Sequence, residues 1–366
     1  MSICILDIKL MISHISKFVV VMLLALSYQM HNSCLMASQE GYKKVVVDER
    51  NCIRLSEADA VILDTNNEFL TYPVEITYHN DGFLLLKEKG NLAQLLVIDL
   101  LTDNYTQLIN KGRAENELLN LWDLAVSDND IYLSSILESK VLTLNYDKEK
   151  RIFDFGHSFC LPIQFMRCIP SNNGFITMAS PSSGNRFEQY DTKGTFLNNF
   201  GTFPSDGIKN YKDANNALFQ SDIAIAPDGN HFVSAYKTID YIDIYLSGKL
   251  KKRLRGPEFI SGTIKSIEAG GGVMFSFSPN YFAFKEVVAG ADGFWVGFIG
   301  KEIRPGEIPT PDMNKISMIF HFDWNGGLVD TYILDHPVDS FTIDLQTSTM
   351  YCISNSEEPR ILVYKL

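Results

Sequence analysis

The stretch "IAIAPDGNHFVSAYKTIDYIDIYLSGKLKKRLRGP", Ile223 to Pro257, has the pattern of four short β-strands joined by tight turns. Apolar and small residues alternate with polar ones on both sides of Asp228-Gly229, and an Asp-Gly pair between two alternating runs is a strong hairpin signal. We expect a type I′ turn there, with positive φ at both central residues. The runs "YIDIYL" and "LKKRL", joined by "SGK", supply the third and fourth strands.

The same pattern occurs in five further places along the chain. Four copies are complete, with turns at Asp81-Gly82, Asn129-Asp130, Asn173-Gly174 and Asp292-Gly293. Successive turns lie roughly 44 to 64 residues apart, a period typical of β-propeller blades. The last copy, "SFTIDLQTSTMYCIS" followed by "RILVYKL", has only three strands before the sequence ends.

The fourth strand of that last blade can come from the N-terminal part of the chain. "YKKVVVDE" (Tyr42–Glu49) has strand composition and no partner of its own. Pairing it with Arg360–Leu366 would close the ring and remove the exposed edges of an open array. No long capped helix pattern occurs. The sequence therefore predicts an all-β fold, a six-bladed β-propeller over residues 42–366 that is closed by an N-terminal strand.

Residues 1–37 have the composition of an export leader and tether. The apolar run Phe18–Leu26 follows Lys9 and Lys17, precedes a polar segment and is too short to span a bilayer. Cys34 stands where a lipoprotein signal peptidase would leave a lipidated first residue, and cleavage near Ala37, which would discard Cys34, is the alternative. We expect a protein of the bacterial cell envelope, in the outer membrane or periplasm, that reaches a membrane only through a lipid on Cys34.

Composition excludes some partner classes. A net charge of −12 argues against nucleic acid, because a phosphate-binding surface needs an excess of Lys and Arg. Four cysteines outside the leader are too few and too scattered for a disulfide framework, although Cys160 and Cys168 are close enough in sequence to pair. Trp122, Trp295 and Trp324 occupy similar blade positions, and we assign them to packing between blades.

Two stretches, Ile223–Pro257 and "KGRAENELLN" (Lys111–Asn120), resemble the TolB-like six-bladed propeller family of exported, often lipidated Bacteroidetes proteins. In that family a Gly-rich loop of the type G-x-G-P-x-E often follows the last strand of a blade, and Gly112 and Glu115 stand at the corresponding place. The resemblance covers Tyr42 to Leu366. It implies the propeller fold and supplies no established catalytic residues.

Three long connections fall on the propeller face opposite the Asp-Gly and Asn-Gly turns, namely Gly201–Ala217, Gly256–Met274 and Lys301–Lys315. Loops longer than a turn requires are where binding residues concentrate. The predicted contact residues are Tyr211, Lys212, Phe259, Arg304 and Asp312. Their partner would be a protein, a peptide or a glycan. Equally, these loops could do no more than plug the mouth of the channel.

The histidines and serines show no spacing of a metal centre or a nucleophile elbow. We therefore expect a monomeric binding or interaction protein without a cofactor, rather than an enzyme. The alternative is a calcium-dependent propeller hydrolase or lactonase with the metal in the central channel. Asp123, Asp222 and Asp339, near the starts of inner strands, are its candidate ligands.

Overall fold

The computed structural model describes residues 43–63, 70–89, 93–127, 130–178, 185–205, 216, 218–258, 262–269, 272–304, 306–356 and 358–366. Within it, Lys44–Leu366 form one compact unit. Three short strands come first: β1 (Lys43–Lys44), β2 (Ile53–Leu55) and β3 (Val61–Leu63). Short 3-10 helices span Glu49–Asn51, Glu57–Asp59 and Pro311–Asn314. No helix among the described residues has the length and apolar character needed to cross a membrane.

Six antiparallel sheets follow one another along the chain, each built from the axis outwards. The first has β4 (Pro73–His79), β5 (Phe83–Glu88), β6 (Ala93–Asp99) and β7 (Asn104–Asn110). The second has β8 (Asp123–Ser127), β9 (Asp130–Ser135), β10 (Lys140–Asp147) and β11 (Ile152–Cys160). The third has β12 (Cys168–Ser171), β13 (Gly174–Met178), β14 (Phe187–Tyr190) and β15 (Phe196–Phe200).

The second half of the chain repeats this order. The fourth sheet has β16 (Ser221–Ile225), β17 (His231–Tyr236), β18 (Tyr241–Leu246) and β19 (Lys249–Arg255). A separate hairpin, β20 (Thr263–Ala269) and β21 (Gly272–Ser278), begins within the predicted loop Gly256–Met274 and extends beyond it. The fifth sheet has β22 (Asn280–Ala289), β23 (Gly293–Ile303), β24 (Ile316–Asp323) and β25 (Leu328–Val338), with β2 parallel to β25. The sixth has β26 (Ser340–Asp344), β27 (Thr349–Ser354) and β28 (Arg360–Lys365), followed by β3.

The inner strands form a ring. Contacts run from β4 to β8, β12, β16, β22 and β26 and then back to β4. Apolar clusters fill the spaces between neighbouring sheets, as with Val97 of the first sheet and Leu133 of the second. Such side chains stabilise the fold by leaving water, at about 25 cal/mol for each Å² of apolar surface. The predicted six-bladed β-propeller is confirmed.

The predicted role of Tyr42–Glu49 is wrong. The outer strand beside β28 is β3, where Ile361 faces Leu63 and Val363 faces Val61. The N–H of Val45 instead donates to the carbonyl of Arg255, at 2.8 Å, on the outer edge of the fourth sheet. Val45 is buried there in the apolar cluster that joins the fourth and fifth sheets, which explains why this segment takes that edge.

The predicted turn type is also wrong at two hairpins. Only the glycine has positive φ, with Gly82 at 84° and Gly229 at 67°. The Gly82 N–H donates to the His79 carbonyl at 2.9 Å, so a type I turn precedes the left-handed glycine. The Asp228 carboxylate accepts two backbone N–H groups, which holds its own backbone right-handed. Cys160 and Cys168 are both free thiols.

Candidate functional site

Charged side chains from five blades meet at the axis, and we call them the axial belt: Glu75, Asp123, Arg167, Asp222 and Glu286. Four belong to inner strands, and Arg167 immediately precedes β12. The inner strands surround the axis, so one charged position on or beside each of five of them brings these groups together.

Arg167 is the centre of the belt. One terminal nitrogen pairs with Asp123 Oδ1 and the other with Asp222 Oδ1. Asp123 Oδ2 accepts the backbone N–H of Cys168 at 2.9 Å, and Asp222 Oδ2 accepts that of Glu286 at 3.0 Å. Both aspartates are about 95 % buried, with 4 % and 5 % exposed. These bonds tie the second, third, fourth and fifth sheets to one guanidinium.

Three lysines add positive charge beside the belt. The ammonium of Lys237 lies 3.0 Å from Asp222 Oδ1. Lys87 pairs with Glu75 and donates to the backbone carbonyl of Trp122 at 2.8 Å. Lys285 donates to the backbone carbonyl of Asp339 at 2.5 Å. Glu75, Asp123 and Asp222 are therefore each paired with a cation.

These contacts move carboxyl pKa values in opposite directions. Burial alone would raise the pKa of Asp222, but the charges of Arg167 and Lys237 outweigh it and hold that pKa well below its usual range. Glu286 lacks such strong compensation. Burial and the nearby carboxylates of Glu75 and Asp222 raise the pKa of Glu286 to about 8. Its backbone has φ 61°, at a bulge of β22 between Lys285 and Val287.

The belt lies between two cavities. One, of about 340 Å³, opens among the first turns of the blades and is lined by Asn80, Ser127 and Asn172; we call it the turn-side cavity. The other, of about 800 Å³, opens on the opposite face and is lined by Leu119, Gln220 and other residues of the longer connections; we call it the loop-side cavity. Glu75, Arg167 and Glu286 line both.

Cationic groups predominate in the loop-side cavity. Three carboxylates line it, from Glu75, Glu88 and Glu286. Six cations line it: Lys87, Lys89, Lys111, Arg167, Lys237 and Lys285. Lys87, Arg167 and Lys237 are paired with carboxylates of the belt, so the unpaired positive charge of the cavity comes from the other three lysines. Such a cavity attracts anions, because its partly apolar walls focus the local field.

An aromatic side chain also lines this cavity. Trp122 is 41 % exposed, and its indole N–H donates to the Met166 carbonyl at 2.8 Å. The assignment of Trp122 to packing between blades does not explain that exposure. By contrast, Trp324 is 6 % exposed and belongs to the cluster between the fourth and fifth sheets.

The predicted contact residues fall into two groups. Tyr211, Lys212 and Phe259, like the lipidation candidate Cys34, lie outside the described residues. Arg304 and Asp312 are exposed on the predicted loop Lys301–Lys315. The Asp312 carboxylate lies 3.1 Å from Lys315 Nζ, and neither Arg304 nor Asp312 lines the two cavities. Asn314, from the same loop, lines the loop-side cavity.

Two of the three candidate calcium ligands come together. Asp123 and Asp222 share Arg167, whereas the Asp339 carboxylate accepts the N–H of Asn355 at 2.8 Å and lies 4.0 Å from Lys315. A cation between Asp123 and Asp222 would have to displace the guanidinium. Over the described part of the chain, no three or more His, Cys, Asp or Glu side chains are grouped to hold a metal ion.

Sequence reasoning found the two axial aspartates but missed their partners. Arg167 stands in "QFMRCIPS", a segment otherwise consistent with an apolar inner strand. A charged residue beside an otherwise apolar inner strand is the sequence signal for an axial side chain, because inner-strand residues of successive blades converge on the axis. Lys237 and Lys285 carry no such local signal.

Comparisons with known proteins agree with this architecture. The model of the family described as TolB-like 6-blade propeller-like matches residues 55–346. A putative exported protein from Bacteroides fragilis is similar in structure, with 13 % identity, a TM-score of 0.51, and coverage of 85 % of this chain and 98 % of that one. Raptor from Chaetomium thermophilum matches with 11 % identity and a TM-score of 0.46, over 81 % of this chain and 28 % of its own, so this chain spans less than a third of that protein.

No curated protein gives a significant match. The family match extends from β2 to just beyond β26 and so includes the inner strands of all six blades. The chain belongs to the TolB-like six-bladed β-propeller family.

Proposed function

We propose that this chain is an exported binding protein that takes its ligand in the loop-side cavity and is held at a membrane by a lipid on Cys34. Family membership and the Bacteroides fragilis neighbour, described as a putative exported protein, support an extracytoplasmic location. The leader-like composition of residues 1–37 supports the lipid anchor.

The observation that carries the proposal is the loop-side cavity itself. Its volume of about 800 Å³ is within the range of small-ligand sites, roughly 300–1,000 Å³. Asn314 and Gln220 line this cavity. It opens on the face opposite the Asp-Gly and Asn-Gly turns, where the sequence predicts the long connections. Lys87 and Trp122 are fixed by hydrogen bonds, so part of the site is preorganised, which reduces the cost of binding.

The belt supports binding rather than catalysis. Asp123 and Asp222, the most buried carboxylates at the axis, are engaged by Arg167 and by backbone N–H groups. A general base needs a lone pair within reach of a substrate proton. Engaged in this way, the two aspartates are better suited to holding the blades together.

A panel of short peptides and oligosaccharides would test the site. Gln220→Trp should add bulk to the wall of the loop-side cavity and obstruct a ligand there, and Asn80→Trp is the matched control in the turn-side cavity. We expect at least one panel member to lose affinity tenfold or more in Gln220→Trp, by calorimetry, and to keep it in Asn80→Trp. The proposal fails if no panel member binds, or if Gln220→Trp binds every ligand as well as the wild type does.

Intact mass spectrometry of protein extracted from membranes would test the anchor. The mature chain should begin at a diacylated Cys34, and Cys34→Ser should move the protein into the soluble fraction, because the acyl chains supply the membrane affinity. A mature chain that begins after Ala37 would overturn the anchor without affecting the cavity.

A further inference from the structure

We infer that the ligand of the loop-side cavity is an anionic saccharide, whose sugar ring packs on Trp122 and whose acidic group is held by the cavity's lysines. This inference rests on the proposed function and names its ligand class. Three features of the described residues support it: uncompensated positive charge, a fixed aromatic surface, and a buried oxygen without a partner.

The first feature is the charge. Lys89 and Lys111 line the cavity, are exposed, and form no ion pair with another described residue. The hydrogen bond of Lys285 goes to a neutral backbone carbonyl, and this lysine forms no ion pair with another described residue. A carboxylate or sulfate entering the cavity would meet these ammonium groups, and charge-assisted hydrogen bonds are the stronger class.

The second feature is the aromatic surface. Trp122 is held at three points: its backbone N–H donates to Ser134, its carbonyl accepts from Lys87, and its indole N–H donates to Met166. Because the indole N–H is already engaged, the ring presents mainly carbon to the cavity. A pyranose ring has an apolar C–H face that can pack flat on such carbon. An acidic peptide without ring-containing side chains, such as triglutamate, has charge but no comparable flat face, so the tryptophan favours a saccharide over it.

The third feature is Glu88. Its side chain is 6 % exposed and lines the cavity, and its Oε2 accepts the N–H of Tyr72 at 2.8 Å. Oε1 is buried and makes no hydrogen bond within the described residues. Burial raises the pKa of Glu88 and outweighs the backbone N–H groups of Tyr72 and Thr71, which lower it. A sugar hydroxyl that donated a hydrogen bond to Oε1 would remove the penalty of this unsatisfied buried oxygen.

The probes are trigalacturonate, its fully methyl-esterified form, a sulfated trisaccharide and triglutamate, each titrated by calorimetry and by tryptophan fluorescence. The ester keeps the sugar rings and removes the charge. We expect trigalacturonate or the sulfated trisaccharide to bind at least tenfold more tightly than the ester, with weaker binding at high salt. Preference for the sulfated probe would identify sulfate as the anion. Triglutamate that binds as tightly as either acidic saccharide would overturn the inference.

Substitutions test the lysine contact and the tryptophan contact separately. Lys89→Gln/Lys111→Gln should weaken binding of the acidic saccharide at least fivefold and leave the ester unchanged. The control Lys249→Gln/Lys265→Gln removes the same charge from exposed lysines outside the cavity and should have no effect. Trp122→Ala should weaken both the acidic saccharide and the ester at least tenfold, and Trp122→Phe should retain part of the affinity. Undiminished binding by a well-folded Trp122→Ala would overturn the inference.

The proposed binding site and the inferred ligand class can be shown wrong independently of each other. If a peptide binds and Gln220→Trp abolishes that binding, the cavity is the site and only the saccharide inference is wrong. If saccharides bind equally well to wild type and Gln220→Trp, the cavity is not the site, and both proposals are wrong.

Discussion

Arg167 reaches the axis from the residue before β12, and each of its terminal nitrogens meets a different buried aspartate. Taking such charges out of water is costly, and the energy is recovered only while every partner remains in place. Removing the guanidinium leaves Asp123 and Asp222 buried, although Lys237 still pairs with the second.

Arg167→Met should therefore lower the free energy of unfolding by about 3–5 kcal/mol. Urea denaturation at pH 7 would measure the loss. Arg113→Met is the matched control, because Arg113 is exposed and forms no ion pair with another described residue, and it should change stability by less than about 0.5 kcal/mol. Equal effects of the two substitutions would show that the belt does not hold the blades.

Glu286 should make stability depend on pH. An ordinary glutamate loses its proton near pH 4.5, whereas burial and neighbouring carboxylates raise the pKa of Glu286 to about 8. Between these values the folded state binds more protons than the unfolded state, so the stability due to this group falls as pH rises. Glu286→Gln cannot ionise, and its stability relative to wild type should increase by at least about 1 kcal/mol from pH 5 to pH 8.

Urea denaturation at several pH values would follow this difference. Glu149→Gln, at an exposed turn of the second blade, is the control and should show no such trend. A flat difference for Glu286→Gln across this range would contradict the raised pKa.

At the scale of elements, the repeated strands were predictable and the last pairing was not. Alternation and turn residues such as Asp228-Gly229 located each blade, because both signals are local. The partner of β28 is the three-residue strand β3, which is too short to carry an alternation signal. Tyr42–Glu49 looked more like a strand, yet the burial of Val45 against the fourth and fifth sheets decides its place. Strand pairing between segments far apart in sequence depends on the assembled ring.

The register of β3 on β28 gives a direct test. Val61 faces Val363, so Val61→Cys/Val363→Cys should form a disulfide on oxidation, and peptide mapping by mass spectrometry would identify it. The cross-link should raise the melting temperature, because it closes a loop of most of the chain. Ile62→Cys/Val363→Cys places the two thiols on opposite faces and should remain reduced. Efficient cross-linking of this control pair would show that the register is different.

At the scale of the whole molecule, closure of the ring determines which charged side chains pair at the axis. Two of the residues singled out from the sequence, Asp123 and Asp222, do reach the axis from the second and fourth blades. Closing the ring brings Arg167 of the third blade between them; the sequence signals a charge at that position but does not identify its two partners. The same closure separates the turn-side and loop-side cavities and gives the latter its positive lining.

This arrangement predicts the response to calcium. The ion takes six to eight oxygen ligands, and here it would have to displace a guanidinium and overcome the ammonium of Lys237. Anything that binds the folded state alone raises its stability by mass action, so millimolar calcium should shift the melting temperature by less than about 1 °C. Magnesium at equal concentration controls for ionic strength. A rise of several degrees that chelation reverses and Asp222→Asn abolishes would instead establish a calcium site at the axis. Charge compensation by Arg167 would then have failed to exclude the ion.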